Sequence, residues 1–255
     1  MIFDNKIIEE KLVEFLRNET QRIRISKAVI GLSGGIDSAV STYLTVKALG
    51  KENVLSVLMP YKTSSRESIT DAEDVVKILG NRSKMIEITE MVDSFINKIG
   101  DNDISGIRKG NIMARVRMIL LYDQSAKENA LVIGTGNKTE ILLGYTTLFG
   151  DSACAINPLG SLYKTQIFEL AKHLGVPKQI IEKKPSADLW AGQTDEGEMG
   201  LTYAEVDKYL YHKIDENKSQ EDLIKLGYST DYINKVDNMI IKNRFKSLPP
   251  VIAKL

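Results

Sequence analysis

The chain has 255 residues, 43% hydrophobic, 27% charged and 7% aromatic, with 34 basic side chains against 34 acidic ones. An ordinary hydrophobic fraction at zero net charge excludes a disordered chain, and a pI near 6.8 argues against a protein built to grip phosphate backbones, so no nucleic-acid partner is expected. One cysteine excludes a disulfide framework, Met1 to Lys6 carries no signal-peptide pattern, and no apolar run approaches the roughly 20 residues that span a bilayer, so a cytoplasmic globular protein without membrane contact is expected.

In chain order, Ile8, Leu12, Phe15 and Leu16 share one face of an amphipathic first helix within residues 1–26. Residues 28–32 predict a short buried strand, and 38–49 a helix stopped by Gly50. A second strand follows over 53–59. Ser64 with Glu67 three positions on predicts a capping box opening the next helix. A third strand spans 84–88, then a helix presents Val92, Phe95 and Ile99. A long helix covers 110–127, and 130–133 is a fourth strand. Strands alternating with helices predict an α/β fold, a doubly wound parallel sheet with helices on both faces over residues 27–160. From 161 to 255 the pattern is helical, with Thr202 and Glu205 capping one helix and another over 231–244. The whole is expected to form a single domain. Residues 186–200 hold four acids without apolar periodicity and are expected as a mobile lid loop, a simple connector being the plainer alternative.

The sharpest signal is the run from Gly31 to Ser38, Gly-Leu-Ser-Gly-Gly-Ile-Asp-Ser, which leaves a buried strand and enters a helix at once. Gly34 and Gly35 free several amides to face one anion at a helix start, and Ser33 and Ser38 add hydroxyl donors. No Lys-Ser or Lys-Thr pair follows, which excludes a Walker A loop, and the glycine spacing excludes a dinucleotide fingerprint. A tight turn with capping serines would explain the glycines alone. Asp37 shifts the balance, because a carboxylate beside a phosphate cradle repels its ligand unless a cation such as magnesium intervenes.

The segment from Ser33 to Ser38 resembles the pyrophosphate loop of the ATP pyrophosphatases, an adenine nucleotide alpha hydrolase-like fold. The chain from about Ile30 onward is similar to the ammonia-dependent NAD synthetase family within that superfamily. The supporting segments are Gly110 to Met118, Ile133 to Glu140, Gly150-Asp151, Ile156-Asn-Pro158 and Lys184 to Leu189.

Thr135 follows the fourth strand at the carboxyl end where parallel sheets bind ligands, and Glu140 lies five residues later. Taken alone, Glu140 is an ordinary helix-opening acid. The resemblance makes Asp37 and Glu140 the carboxylates for Mg2+. It implies ATP contacts for Gly31, Leu32, Ser33, Gly34, Gly35, Ile36, Asp37, Ser38, Thr135, Lys164 and Ser186. Lys164 stands at a helix start, where a cation is mildly unfavourable unless it faces an anion; a solvated surface lysine is the bland alternative. Asp37, Glu140 and Lys164 form the implied catalytic set.

The long helix carries Ile112, Met113, Val116, Met118, Ile119, Leu120 and Leu121 on more than one side, which predicts burial all round, between its own sheet and a second subunit. The resemblance likewise implies a homodimer. Arg115 within this stretch needs an anion, either a nearby acid or, by resemblance, the dinucleotide substrate; Arg117 is carried over less firmly. Phe245-Lys246 occupies the place of a His-Lys pair that touches the dinucleotide in many members, so Lys246 matches and Phe245 departs. Leu148 and Ala155 stand where many relatives carry a lysine and an aspartate, which implies a different arrangement around nicotinate. Asp151 is the candidate for assisting ammonia deprotonation. Cys154, His173 and His212 read as structural, and Trp190 either covers a base or packs on the core.

The implied reaction is amidation of deamido-NAD by ammonia at the expense of ATP, through an acyl-adenylate, giving NAD, AMP and pyrophosphate. No segment resembles a glutaminase, so free ammonia is the expected nitrogen donor. The rivals are another enzyme with the same loop, amidating nucleotides or modifying tRNA, and a non-catalytic ATP-binding regulatory module.

Overall fold

Strands of four or five residues, aliphatic in all but the edge one, build the sheet. In the computed structural model, which describes residues 4–100, 103–186 and 194–253, β1 (Lys27–Gly31), β2 (Val54–Leu58), β3 (Arg82–Met85) and β4 (Ala130–Ile133) pair in parallel in the order β3-β2-β1-β4. Ile30 stands opposite Ser56 on one side and Ile133 on the other. β2 and β4 are buried along their whole length, as apolar runs in a doubly covered parallel sheet must be. The edge strand begins two residues before the expected 84, on polar and exposed Arg82-Ser-Lys-Met85. The apolar Ile86 and Ile88 that drew the prediction onward still donate their amides to Leu58 and Pro60 carbonyls, so pairing continues past the regular strand.

The first helix, α1 (Asn5–Ile23), packs on α2 (Ile36–Leu49), and both cover one face of the sheet with α3 (Arg66–Leu79), α7 (Lys164–Leu174) and α8 (Lys178–Glu182). The other face is closed by α4 (Thr89–Ile99) and α5 (Gly106–Glu128). Ala28, Ile30, Leu32, Leu131 and Ile133 point to the first core, while Val29, Leu55 and Val57 point to the second. The sheet is therefore doubly wound, as its alternating pattern predicts. The cap of α3 is Ser65 and not Ser64: Ser65 accepts from the Ser68 amide, while Ser64 accepts from the Tyr61 amide and shapes the preceding turn.

A second cluster gathers α6 (Lys138–Leu143), α9 (Asp195–Met199), α10 (Tyr203–Leu210), α11 (Gln220–Lys225) and α12 (Thr230–Asn243) around buried Tyr163, Tyr203 and Tyr209. Of the loop expected over 186–200, residues 187–193, Trp190 among them, lie outside the described residues; Asp195–Met199 is a short helix capped by Thr194. α5 is buried only towards the sheet. Its Ile119 and Tyr122 are 61% and 40% exposed, so the expected burial all round is not met within one chain. No helix among the described residues is long and apolar enough to cross a membrane.

Candidate active site

The chain runs from β1 to β2 and β3 in one direction and then places β4 on the other side of β1. Ligands in open α/β sheets bind at this switch point, outside the carboxyl ends of the strands. Here a cavity of about 520 Å3 opens over the ends of β1, β2 and β4, within the usual range for a small-molecule site.

The loop after β1 forms one wall. Gly34 has φ +82°, and a Cβ there would stand 2.0 Å from the Ser68 carbonyl oxygen, so only glycine fits. Ser38 Oγ donates to the Gly35 carbonyl at 2.9 Å and accepts from the Ser33 amide at 3.2 Å, which folds the loop back over the first turn of α2. Gly31, Leu32, Ser33, Gly35, Ile36, Asp37 and Ser38 line the cavity; Gly34 lies behind them against Ser68. Helix α2 thus directs its amino end, and Asp37 in its first turn, into the cavity.

The loop after β4 forms the opposing wall. A Cβ on Gly134 would stand 2.6 Å from Cys154 Sγ, and the Gly134 carbonyl accepts from Ser41 of α2, which binds the two loops together. Asn137 and Glu140 make a reciprocal capping box at the start of α6. Asn137 Nδ2 also donates to Asp37 Oδ1 at 2.9 Å, so one asparagine orients both carboxylates. Between them lies Lys164 at the start of α7, 2% exposed, with Nζ 2.5 Å from Asp37 Oδ2 and 3.4 Å from Glu140 Oε1. The ammonium also sits 5.1 Å from the centre of the Tyr203 ring. Burial opposes its charge, yet Asp37 and Glu140 hold Lys164 protonated above the ordinary lysine range. Burial pushes the Glu140 carboxyl up to about 8, Lys164 opposing the rise and Asp37 adding to it.

Asp37, Glu140, Lys164, Thr135 and Ser186 come together around this cavity, with Asp151 and Lys246. Lys246 Nζ is committed to the Gly144 and Thr146 carbonyls at 2.7 and 3.0 Å. Arg115 and Phe245 do not line it. Arg115 is exposed and donates to the Leu148 carbonyl at 3.2 Å, and Phe245 is 59% exposed. Arg117, two positions on, lines the cavity instead, with its Nε on the Met59 carbonyl. Cys154 is half-buried, and burial pushes its thiol up; His173 and His212 bind Glu9 and Glu216. These three keep the structural roles expected of them.

Several site residues escaped the sequence. Buried Asp195 accepts from Tyr203 Oη at 3.0 Å, and burial pushes its carboxyl up. Glu198, which accepts from Tyr145 Oη, joins it at the rim. The Thr194-Asp195-Glu196 cap signal could have revealed α9. Among the described residues Thr146 Oγ1, on a cavity-lining residue, is buried with no hydrogen-bond partner. Among the described residues no group of three or more His, Cys, Asp and Glu gathers as a metal site. Two hard carboxylates around one lysine nevertheless fit magnesium, which commonly takes one or two protein carboxylates and completes its shell with phosphate and water.

A phosphate-cradling loop at the switch point, facing a carboxylate pair bridged by a buried lysine, defines an α/β nucleotide-using enzyme of the ATP pyrophosphatase type. The family model described as NAD synthase matches residues 8–250. The NH(3)-dependent NAD(+) synthetase of Fusobacterium nucleatum is 51% identical over 250 residues, covering 98% of this chain and 96% of that protein. The solved NH3-dependent NAD synthetase of Campylobacter jejuni aligns with a TM-score of 0.84 at 37% identity over 99% of this chain and all of that one. The NMN synthetase of Francisella tularensis aligns with a TM-score of 0.89 at 35% identity over the full length of both. The chain belongs to the NAD synthase family.

Proposed function

We propose that this chain makes NAD from deamido-NAD, ATP and free ammonia at the cavity between the β1 and β4 loops. The relatives of about half identity support that reaction, and the observation that carries its location is the buried Asp37–Lys164–Glu140 centre beneath the glycine loop. A carboxylate is a poor electrophile, so its oxygen must first be made a leaving group. The nicotinate carboxylate attacks the α-phosphorus of ATP and pyrophosphate departs; ammonia then attacks the acyl carbon, AMP departs and one proton is lost.

The chain's own part is positional and electrostatic. Amides in the first turn of α2 face the departing pyrophosphate, and Lys164 neutralises phosphate charge between the two carboxylates. Thr135 and Ser186 flank the nucleotide. Asp37 and Glu140 would hold magnesium, which supplies charge neutralisation on the phosphates when bound. Asp151 and Lys246 lie where the acceptor carboxyl would enter, and Asp151 is the group offered for the ammonia proton. Arg115 and Phe245, outside the cavity of one chain, reach the dinucleotide only across a subunit contact. The exposed Ile107, Ile119, Tyr122 and Phe149 on and beside α5 supply an apolar face for that second copy.

The test is mass detection of AMP, pyrophosphate and amidated product from the purified chain, with deamido-NAD and nicotinate mononucleotide as separate acceptors and ammonium or glutamine as nitrogen source. AMP and NAD in equal amounts, with deamido-NAD preferred and only with ammonium, are expected. Preference for the mononucleotide, or equal turnover with glutamine, would overturn the reading. Glu140→Ala should abolish magnesium-dependent turnover in a folded protein.

A further inference from the structure

A fully buried carboxylate behind the site has no part in the chemistry above. Asp207, near the end of α10, is 0% exposed, and among the described residues it forms an ion pair with no cation. Such a group persists only when donors satisfy it. Its donors come from two other helices. Thr139 Oγ1 donates to Asp207 Oδ1 at 2.6 Å, and the Thr165 amide donates to Oδ2 at 2.7 Å. Thr139 Oγ1 in turn accepts from the Lys164 amide at 3.1 Å.

Each contacted residue is the immediate neighbour of a site residue: Thr139 precedes Glu140, and Thr165 follows Lys164. We propose that Asp207 is a positioning residue for the reaction, fixing through Thr139 and the first turn of α7 the relative placement of Glu140 and Lys164. A carboxylate suits this place for two reasons. Its charge meets the amino-terminal turn of α7, where it is favoured. Burial pushes the Asp207 carboxyl up, against the pull of its bonds to Thr139 and Thr165; in its ionised form it accepts only, which forces the Thr139 proton towards it and leaves the hydroxyl lone pair for the Lys164 amide. An asparagine must turn its oxygen to the Thr165 amide and its NH2 to Thr139. The hydroxyl then faces two donors and its own proton has no acceptor. The backbone link from the Lys138 amide to the Leu162 carbonyl, 2.8 Å, keeps α6 and α7 adjacent in either case, so the variant loses orientation and not the fold.

The proposal rests on the reaction assigned above, and its test separates the two. Asp207→Asn and Thr139→Val are compared with wild type and with Thr139→Ser, which keeps the hydroxyl. The expected result is a fall of about 10- to 100-fold in kcat/KM for ATP, the usual size for a lost supporting contact behind a ligating group. KM for deamido-NAD should stay unchanged, and Thr139→Ser should retain wild-type kinetics. Amide hydrogen exchange should quicken at Lys164, whose amide bonds Thr139, in the two impaired variants. Wild-type ATP kinetics in both, or losses of every parameter in proportion to the unfolded fraction, would overturn the proposal. If the wild-type chain makes no NAD the reaction is wrong, while unchanged exchange at Lys164 would by itself refute the positioning role.

Discussion

The sheet half and the helical half of this molecule are held together by different chemistry. Beneath and above the sheet the core is aliphatic: Leu16, Val29, Ile30, Leu44, Val57 and Ile133 are all at most 2% exposed. In the helical half Leu143, Val206, Leu210 and Ile233 pack around buried tyrosines that are tied to acids. Tyr163 donates to Asp215 at 2.8 Å, Tyr203 to Asp195 at 3.0 Å and Tyr209 to Asp237 at 2.7 Å. The difference teaches how labour is divided. An aliphatic sheet gives a rigid platform whose strand ends present backbone amides, and it needs no side-chain charge to do so. Lys164, at the start of α7 and against Tyr203, stands where the two halves meet in a low-dielectric site, where a charge must be surrounded by partners of fixed geometry. Directional bonds provide that where apolar packing cannot.

Lys164→Met strikes hardest, at the junction of the two halves. It leaves Asp37 and Glu140 facing each other without their cation, a change that costs about 3–5 kcal/mol when one partner of a buried ion pair is removed. Urea unfolding without ligands should record that loss, and amidation should disappear. A variant of wild-type stability would show that the two carboxylates do not need the lysine.

Gly34→Ala tests the sheet side. A left-handed backbone costs a residue with Cβ about 1–2 kcal/mol, and the clash with the Ser68 carbonyl adds to that. ATP binding by calorimetry should be lost. Gly35→Ala is the control for the fold: its Cβ would meet nothing nearer than Ser33 Oγ at 3.4 Å, so unfolding stability should survive. Equal effects of the two on stability would refute the account of the loop.

The two halves were also unequally legible. Strand interiors and the glycine loop follow from local sequence, because consecutive apolar residues bury themselves and two glycines fix a turn. Asp37, Glu140, Thr135 and Lys164 could be singled out for the same reason, each standing at a helix start or strand end. The Asn137–Glu140 capping box was written three residues apart and went unread. Asp195 and Asp207 were not readable, since their meaning lies in Tyr203, Thr139 and Thr165, two of them on other helices and up to 68 positions away. The edge strand was misplaced because a half-exposed strand tolerates polar residues, and the apolar Ile86 and Ile88 after it imitate a strand more closely. Arg115 and Arg117 exchange prominence for a geometric reason: two positions on a helix turn a side chain through roughly 200°.

Tyr209→Phe makes a smaller cut. It removes one hydrogen bond to a carboxylate that keeps Lys213 at 3.0 Å, so a loss of about 1–2 kcal/mol is expected with kcat unchanged. A change in kcat would mean that this tyrosine network reaches the site directly.

The smallest effect sharpens the comparison from the other side, because the aliphatic half also contains buried acids, Asp71 beside Lys183, and Glu9. Glu9 of α1, 7% exposed, joins Lys47 of α2 and His173 of α7. Burial pushes its carboxyl up, but the bonds and charges of Lys47 and His173 outweigh this and hold it below its ordinary value of 4.5. A carboxyl depressed on folding contributes stability that is complete above its unfolded value and fades as pH falls through the folded one. Glu9→Gln should therefore narrow its stability gap to wild type below pH 4.5 and hold that gap constant above it, as thermal unfolding across pH will record. Amidation per folded molecule should stay at the wild-type level, since Glu9 only clasps helices on the covered face, away from the strand ends.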